Sequence, residues 1–182
     1  MRGGDPSRYL EWLRAQTVPP DPFPPAADPL DDSLVHPRLL IVGEAGCGKT
    51  AYLRQLAYLW CRGLQDTHTY TLLFPIFVSM SEAAAETGDG WLIDLLHDQS
   101  REHNWGLDPE FFRHKLGAAF VLLDGLHDAP WAARPIERMA VANPLSRFVV
   151  STRPIGRVVE ILAGFHTVRA GRNREFNCAA GC

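Results

Sequence analysis

The chain has 182 residues, of which 46% are hydrophobic, so it is long enough to bury the core of one domain. Its net charge of -3 provides no basic field for nucleic acid or for an anionic membrane, and no apolar run approaches the length of a membrane span. The four cysteines show neither the paired spacing of a zinc site nor a disulfide framework. We therefore expect a cytoplasmic protein with reduced thiols and without nucleic-acid or membrane partners.

The N-terminal segment, residues 1–36, is expected to form a short helix and a linker ahead of the main domain. Ser7 is a candidate N-cap, and Tyr9, Trp12 and Leu13 lie on one face of the helix that follows. The second half of the segment holds six prolines, which cannot join a sheet or a helix. The compact domain is therefore predicted to begin near residue 37.

Residues 37–169 alternate between strand and helix patterns, which predicts a three-layer α/β domain. Such alternation is typical of a mostly parallel sheet, here of about five strands, with helices on both faces. The predicted strands are 39–42, 70–79, 118–123, 147–151 and 165–169, and the predicted helices are 49–62, 90–103, 109–116, 132–142 and 155–162. Pro75 predicts an edge position for the second strand, because proline cannot donate to a central ladder. Residues 170–182 show no periodicity and are expected to be a disordered or truncated tail.

The segment between the first predicted strand and the first helix of this domain has the pattern of a phosphate-binding loop, GxxxxGK[ST]. Its eight residues are Gly43, Glu44, Ala45, Gly46, Cys47, Gly48, Lys49 and Thr50. The backbone N–H groups of such a loop, and the N-terminus of the helix after it, bind phosphate oxygens. Lys49 would reach the β and γ phosphates, and the hydroxyl of Thr50 would bind Mg²⁺. The sequence therefore predicts a site for a nucleoside triphosphate.

Two further side chains are expected at the carboxyl edge of the same sheet. Asp124 ends an apolar strand and could bind the metal ion, although an aspartate that only begins an Asp-Gly turn is the alternative. Arg153 follows the strand 147–151 and could contact a γ-phosphate. Because arginines are common on solvated surfaces, that alternative also stays open for Arg153.

Three segments taken together resemble the NACHT domain, a branch of the signal-transducing STAND ATPases. They are residues 37–50 (PRLLIVGEAGCGKT), 120–128 (FVLLDGLHD) and 147–154 (RFVVSTRP). The resemblance extends over residues 37–165 and implies a P-loop NTPase fold with the fourth strand between the first and the third. It also implies ATP or ADP with Mg²⁺ as ligands. A nucleotide switch that self-associates to activate an effector, in innate immunity or in bacterial defence, is the implied role.

The chain departs from the family pattern DGxDE at two positions. His127 stands where an aspartate is expected, and Asp128 stands where the family has the glutamate that orients the attacking water. Asp128 is one methylene shorter, and displacing a catalytic group by about 1 Å can cost on the order of a hundredfold in rate. With Asp128 and Arg153 as the candidate catalytic residues, we expect tight nucleotide binding and slow or absent hydrolysis.

Two other functions are compatible with these residues. The first is a non-hydrolysing scaffold or interaction fragment, in which nucleotide is a structural ligand and the face of Tyr9, Trp12 and Leu13 binds partners. The second is a small-molecule kinase, which would need an arginine-bearing lid that the sequence does not convincingly show. The resemblance also implies sensor and effector segments that do not fit in this length, so we expect a nucleotide-binding core that works with other segments.

Overall fold

The computed structural model describes residues 5–16, 36–63, 73–83, 88, 90–170 and 176–178. Six helices lie in this part of the chain: α1 Pro6–Gln16, α2 Lys49–Gly63, α3 Trp91–Glu102, α4 Pro109–Leu116, α5 Ala133–Ala142 and α6 Gly156–Ile161. The same residues contain six strands: β1 Arg38–Gly43, β2 Phe74–Ser79, β3 Ala119–Asp124, β4 Arg147–Thr152, β5 His166–Ala170 and β6 Phe176–Cys178. Short 3₁₀ helices are at Met80–Glu82 and Pro130–Ala132. Within the described residues, no helix is long and apolar enough to cross a bilayer.

The strands form one sheet with the order β2-β3-β4-β1-β5-β6. The first five strands are mutually parallel, and β6 runs antiparallel to β5. All six residues of β3 are buried, as expected for a central strand covered on both faces. The predicted α/β fold with a mostly parallel sheet is therefore confirmed, as is the position of β4 between β1 and β3.

The sequence predicted one edge strand of the sheet, β2, but not the strand β6 at the other end of the strand order. The edge position of β2, expected from Pro75, is confirmed by the strand order, while residues 70–72 of the predicted strand lie outside the described residues. In the segment 170–182, where no regular structure was expected, residues 176–178 pair with β5 as β6. That pairing uses the backbone hydrogen-bonding groups on the outer side of β5, and the local composition of residues 176–178 does not reveal that these groups are available.

Helix α1 is part of the core, whereas the sequence analysis placed it ahead of the compact domain. Tyr9 and Leu13 are fully buried, so the face proposed to bind partners is already covered. The N-cap was also predicted two residues too late, because the side chain of Asp5 accepts a hydrogen bond from the backbone N–H of Ser7 at 3.0 Å. This bond lowers the pKa of Asp5. Pro6 then occupies the first helical position, where its missing N–H costs nothing.

The buried face of α2 fixes the helix across the centre of the sheet. Leu53, Leu56, Ala57 and Trp60 are buried as their spacing predicts. The indole N–H of Trp60 donates to the carbonyl of Leu73 at 3.0 Å, and its ring centre lies 4.3 Å from that of Phe120 on β3. These contacts hold the C-terminal part of α2 near the amino ends of β2 and β3.

Candidate nucleotide-binding site

The loop between β1 and α2 has a backbone that requires glycine at two positions. Gly46 and Gly48 have φ values of 76° and 93°, in the left-handed region that other residues rarely adopt. No heavy atom lies within 4 Å of a Cβ built at either position, so backbone conformation rather than space requires glycine there. Glu44, Ala45 and Gly46 are exposed, so the outer surface of the loop is open to a ligand.

Gly43 is required for a different reason, which is close packing at the end of β1. A Cβ at this position would lie 2.6 Å from Sγ of Cys47 and 3.0 Å from both the carbonyl oxygen and the Cβ of Ala170 on β5. The missing side chain therefore lets the loop fold back over β1 and lie against β5. The thiol of Cys47 is buried in this contact.

Lys49 is buried inside the loop, with only 7% of its surface exposed. Its Nζ donates to the carbonyl oxygens of Gly43 at 2.7 Å and Glu44 at 2.8 Å, and it lies 3.5 Å from Sγ of Cys47. Among the described residues, no carboxylate forms an ion pair with this ammonium group. The loop therefore holds a buried positive charge that only neutral groups compensate.

Thr50 follows Lys49 in the first turn of α2 and is exposed. Its hydroxyl is therefore accessible from the solvent side of the loop. The N-terminus of α2 points its free N–H groups toward the same region, which favours an anion there.

Asp124 is held at the carboxyl end of β3 with 9% of its surface exposed. Its Oδ1 accepts a hydrogen bond from the hydroxyl of Ser151 at 2.6 Å. The second carboxylate oxygen makes no hydrogen bond to any group in the described part of the chain. An oxygen ligand of this kind fits Mg²⁺, which takes one or two carboxylates together with water and phosphate oxygens.

Arg153 comes directly after β4 and is exposed. In the register of β1 and β4, Val42 lies opposite Thr152, so the backbone of Arg153 is level with Gly43, the first residue of the loop. The register of β3 and β4 likewise pairs Leu123 with Val150, which brings Asp124 level with Ser151. The strand order thus gathers the loop, Arg153 and Asp124 at one edge of the sheet, as the sequence analysis expected.

His127 and Asp128 lie in the turn after β3. Gly125 opens the turn with a φ of 84°, and the N–H of Asp128 donates to its carbonyl at 2.8 Å. Nε2 of His127 lies 3.6 Å from Oδ1 of Asp128, whose side chain is 49% exposed. Nδ1 of His127 is buried without a partner among the described residues. The carboxylate of Asp128 therefore lies beside the imidazole and is also accessible to solvent.

A cavity of about 480 Å³ adjoins the first residues of the loop. Its walls come from the end of β1, from α6 and from β5, and include Gly43, Glu44, Val159 and Arg169. The site therefore has an open volume next to the loop on the β5 side.

Sequence reasoning missed the part that Ser151 plays in the site. Its side chain is fully buried and contacts Asp124, which is distant along the chain. The available signal was a hydroxyl side chain at the end of the apolar run that forms β4, since a polar group in a central strand needs a partner.

This sheet order, with a glycine loop leading into α2 and an acidic residue at the end of β3, defines the class of P-loop NTPases. The family model of the NACHT domain matches residues 37–159, which is most of the chain. The chain therefore belongs to the NACHT domain family, and the resemblance found in the sequence is confirmed. It is a nucleotide-binding NTPase core. No curated protein matches the chain.

Proposed function

We propose that this chain is the ATP- and ADP-binding core of a NACHT-type signalling switch. In this role Gly43 to Thr50 bind the phosphates, while Thr50 and Asp124 hold Mg²⁺. Membership of the family supports the nucleotide-binding part. The metal, the choice of adenine nucleotides and the switching role are the parts that we add.

The observation that carries the proposal is the buried ammonium group of Lys49. Removing a charge from water is costly unless an opposite charge or several hydrogen bonds compensate it. Two carbonyl oxygens and a thiol now provide that compensation, and the described residues offer no carboxylate. A polyphosphate would bring the missing negative charge, and it would also accept hydrogen bonds from the loop and from the first turn of α2.

Switching requires a group that distinguishes ATP from ADP, and Arg153 is suited to this task. Its exposed side chain follows the strand next to β1, level with the start of the loop. A guanidinium group there can contact a γ-phosphate, which only the triphosphate carries. We infer that this contact shifts the position of β4. Self-association and effector activation then depend on segments outside the described residues.

Hydrolysis is proposed to be slow, because the group in the position of the attacking-water base is Asp128. Its carboxylate lies 3.6 Å from Nε2 of His127, and its side chain is one methylene shorter than that of a glutamate. The scaffold alternative loses its proposed binding surface, since Tyr9 and Leu13 are buried. A nucleotide that binds without turnover remains compatible with both functions.

Thermal unfolding and calorimetry with ATP, ADP, GTP and GDP, each with and without Mg²⁺, test the proposal. A nucleotide at about 100 times its Kd should stabilise the protein by about 2.7 kcal/mol. Lys49→Ala should abolish the effect. Lys115→Ala is the matched control, because Lys115 is the other lysine of the chain and precedes β3, at the opposite edge of the sheet. A well-folded wild-type protein that no nucleotide stabilises would contradict the proposal.

A further inference from the structure

We propose that Ser151 is a positioning residue that couples the metal-binding carboxylate of Asp124 to the strand that carries Arg153. The inference rests on the proposed function, because it concerns how that same site responds to Mg²⁺ and to phosphate. No motif assigns a role to this serine. The assignment comes from the contacts that its side chain and backbone make.

Ser151 makes three contacts with the end of β3 and the turn after it. Its hydroxyl donates to Oδ1 of Asp124 at 2.6 Å and accepts the N–H of Gly125 at 2.9 Å. Its carbonyl accepts the N–H of Leu126 at 2.8 Å. Ser151 is fully buried, so water does not compete for these bonds.

The pattern of donors and acceptors determines how the hydroxyl is used. Because the N–H of Gly125 occupies a lone pair of Oγ, the hydroxyl proton is directed at Asp124. A distance of 2.6 Å falls in the range of hydrogen bonds from a hydroxyl to an ionised carboxylate, which are about twice as strong as neutral ones. One oxygen of Asp124 is therefore fixed, and the other is held in one orientation for a cation.

The same serine connects this carboxylate to the phosphate side of the site. Arg153 directly follows β4 and is two residues beyond Ser151 in the chain, so a shift of β4 caused by contact with a γ-phosphate would move Ser151 as well. Ser151 would transmit that shift to Asp124 through its hydroxyl and to the turn that carries Asp128 through Gly125 and Leu126. Metal binding and γ-phosphate recognition thereby become dependent on one hydrogen-bonded residue.

Thr152 provides a matched comparison within the same strand. It is also fully buried, but its Oγ1 has no hydrogen-bond partner among the described residues. Successive side chains of a strand point to opposite faces, so Thr152 faces away from Asp124. Removing its hydroxyl should therefore leave the metal carboxylate unaffected.

The experiment measures the Kd of ADP and of ATP in Mg²⁺ and in EDTA for the wild type, Ser151→Ala and Thr152→Val. The quantity of interest is the ratio of the Kd in EDTA to the Kd in Mg²⁺. We expect Ser151→Ala to lower this ratio by about tenfold or more, since loss of a group that orients a metal ligand commonly costs 10- to 100-fold in metal affinity. Its Kd in EDTA should stay within about twofold of the wild-type value, and Thr152→Val should leave the ratio unchanged.

Each outcome supports or overturns the inference. If Ser151→Ala loses affinity equally in Mg²⁺ and in EDTA, Ser151 only stabilises the fold. If Thr152→Val lowers the ratio as much as Ser151→Ala does, Ser151 has no specific role in positioning Asp124. If Ser151→Ala does not fold, Ser151→Cys keeps the size with a weaker donor and should lower the ratio less, in the same direction. If the wild type binds Mg-nucleotide and Ser151→Ala leaves the ratio unchanged, only this inference is overturned. If the wild type binds no nucleotide, the proposed function is overturned too.

Discussion

At the scale of single residues, the turn after β3 combines a histidine and an aspartate where the family has two acidic groups. Nε2 of the His127 imidazole lies 3.6 Å from Oδ1 of Asp128 and occupies one side of this carboxylate. A Cβ at Gly125 would lie 3.1 Å from Oδ2 of Asp128, so this carboxylate is packed closely over the backbone of the turn. Both features restrict how far Asp128 can reach toward a water molecule beside the phosphates.

We therefore predict that the double variant His127→Asp, Asp128→Glu hydrolyses ATP faster than the wild type. The change removes the imidazole partner and lengthens the second side chain by one methylene, which moves the carboxylate by about 1 Å and can raise the rate by up to about a hundredfold. Single-turnover hydrolysis, followed with enzyme in excess, measures this step. Asp128→Asn is the control and should be no faster than the wild type. Equal rates in the wild type and the double variant would show that Asp128 is not the limiting group.

The residues of the site differ in how far the sequence could predict them. Lys49 and Thr50 belong to a local strand, loop and helix pattern, and their position follows from that pattern alone. Asp124 and Arg153 were predicted because parallel strands end at a common edge. Ser151 was not, since its contact with Asp124 joins two strands and depends on register and side-chain direction.

At the scale of elements, α1 protects the open edge of β2. The hydroxyl of Tyr9 accepts the backbone N–H of Phe77 at 3.3 Å, which is a donor that an edge strand otherwise leaves unpaired. The ring of Tyr9 packs with its centre 5.3 Å from that of Phe74 and 4.9 Å from that of Trp105. Nε1 of Trp105 is itself buried without a partner among the described residues, so this contact is made by ring packing alone.

We predict that Tyr9→Phe lowers the free energy of unfolding by about 1–3 kcal/mol. The variant keeps the ring but leaves the N–H of the buried Phe77 without an acceptor. Urea unfolding measures the loss, and faster hydrogen exchange at the amide of Phe77 locates it. Tyr58→Phe is the matched control, because this tyrosine on α2 is half-buried and makes no hydrogen bond to the described residues, so its loss should stay within about 0.5 kcal/mol. Equal losses in both variants, or unchanged exchange at Phe77, would contradict the edge-capping role.

The sequence could predict that α1 has an apolar face but not what this face covers. The segment between α1 and β1 is rich in proline, so no local pattern connects the helix with the sheet. The edge position of β2, by contrast, followed from Pro75 alone, because the missing N–H is a local chemical property. Local chemistry is thus visible in the sequence, whereas docking between distant segments is not.

At the scale of the whole molecule, the core joins the N-terminal helix to the helix of the phosphate-binding loop. Tyr9 and Leu13 of α1 belong to the same buried cluster as Leu53, Leu56 and Cys61 of α2. The alternating pattern of residues 37–169 was sufficient to predict the parallel sheet around which this cluster forms, but not the contribution of α1. The phenol of Tyr9 and the thiol of Cys61 are weakly acidic groups that lie fully buried in this cluster.

Burial of these two groups gives the stability of the molecule a defined dependence on alkaline pH. Removal from water raises the pKa of Cys61 from 9.0 to about 12, and it raises the pKa of Tyr9 above its ordinary value of 10.0. Above pH 9 the thiol loses its proton in the unfolded chain and keeps it in the folded one, so the unfolded state binds fewer protons. The free energy of unfolding must then fall as pH rises, and Tyr9 adds to the fall above pH 10.

We predict that the free energy of unfolding, measured in urea between pH 8 and pH 11, decreases with a limiting slope of about 1.4 kcal/mol per pH unit for each group. Cys61→Ala should be less stable at pH 8, because it loses a buried side chain, yet its stability should stay constant until the pH approaches the range in which tyrosine ionises. Tyr9→Phe should keep the fall that begins at pH 9 and lose the additional slope above pH 10. An unchanged slope in Cys61→Ala would mean that its thiol titrates alike in both states, and therefore that α1 and α2 do not exclude water from the contact between them.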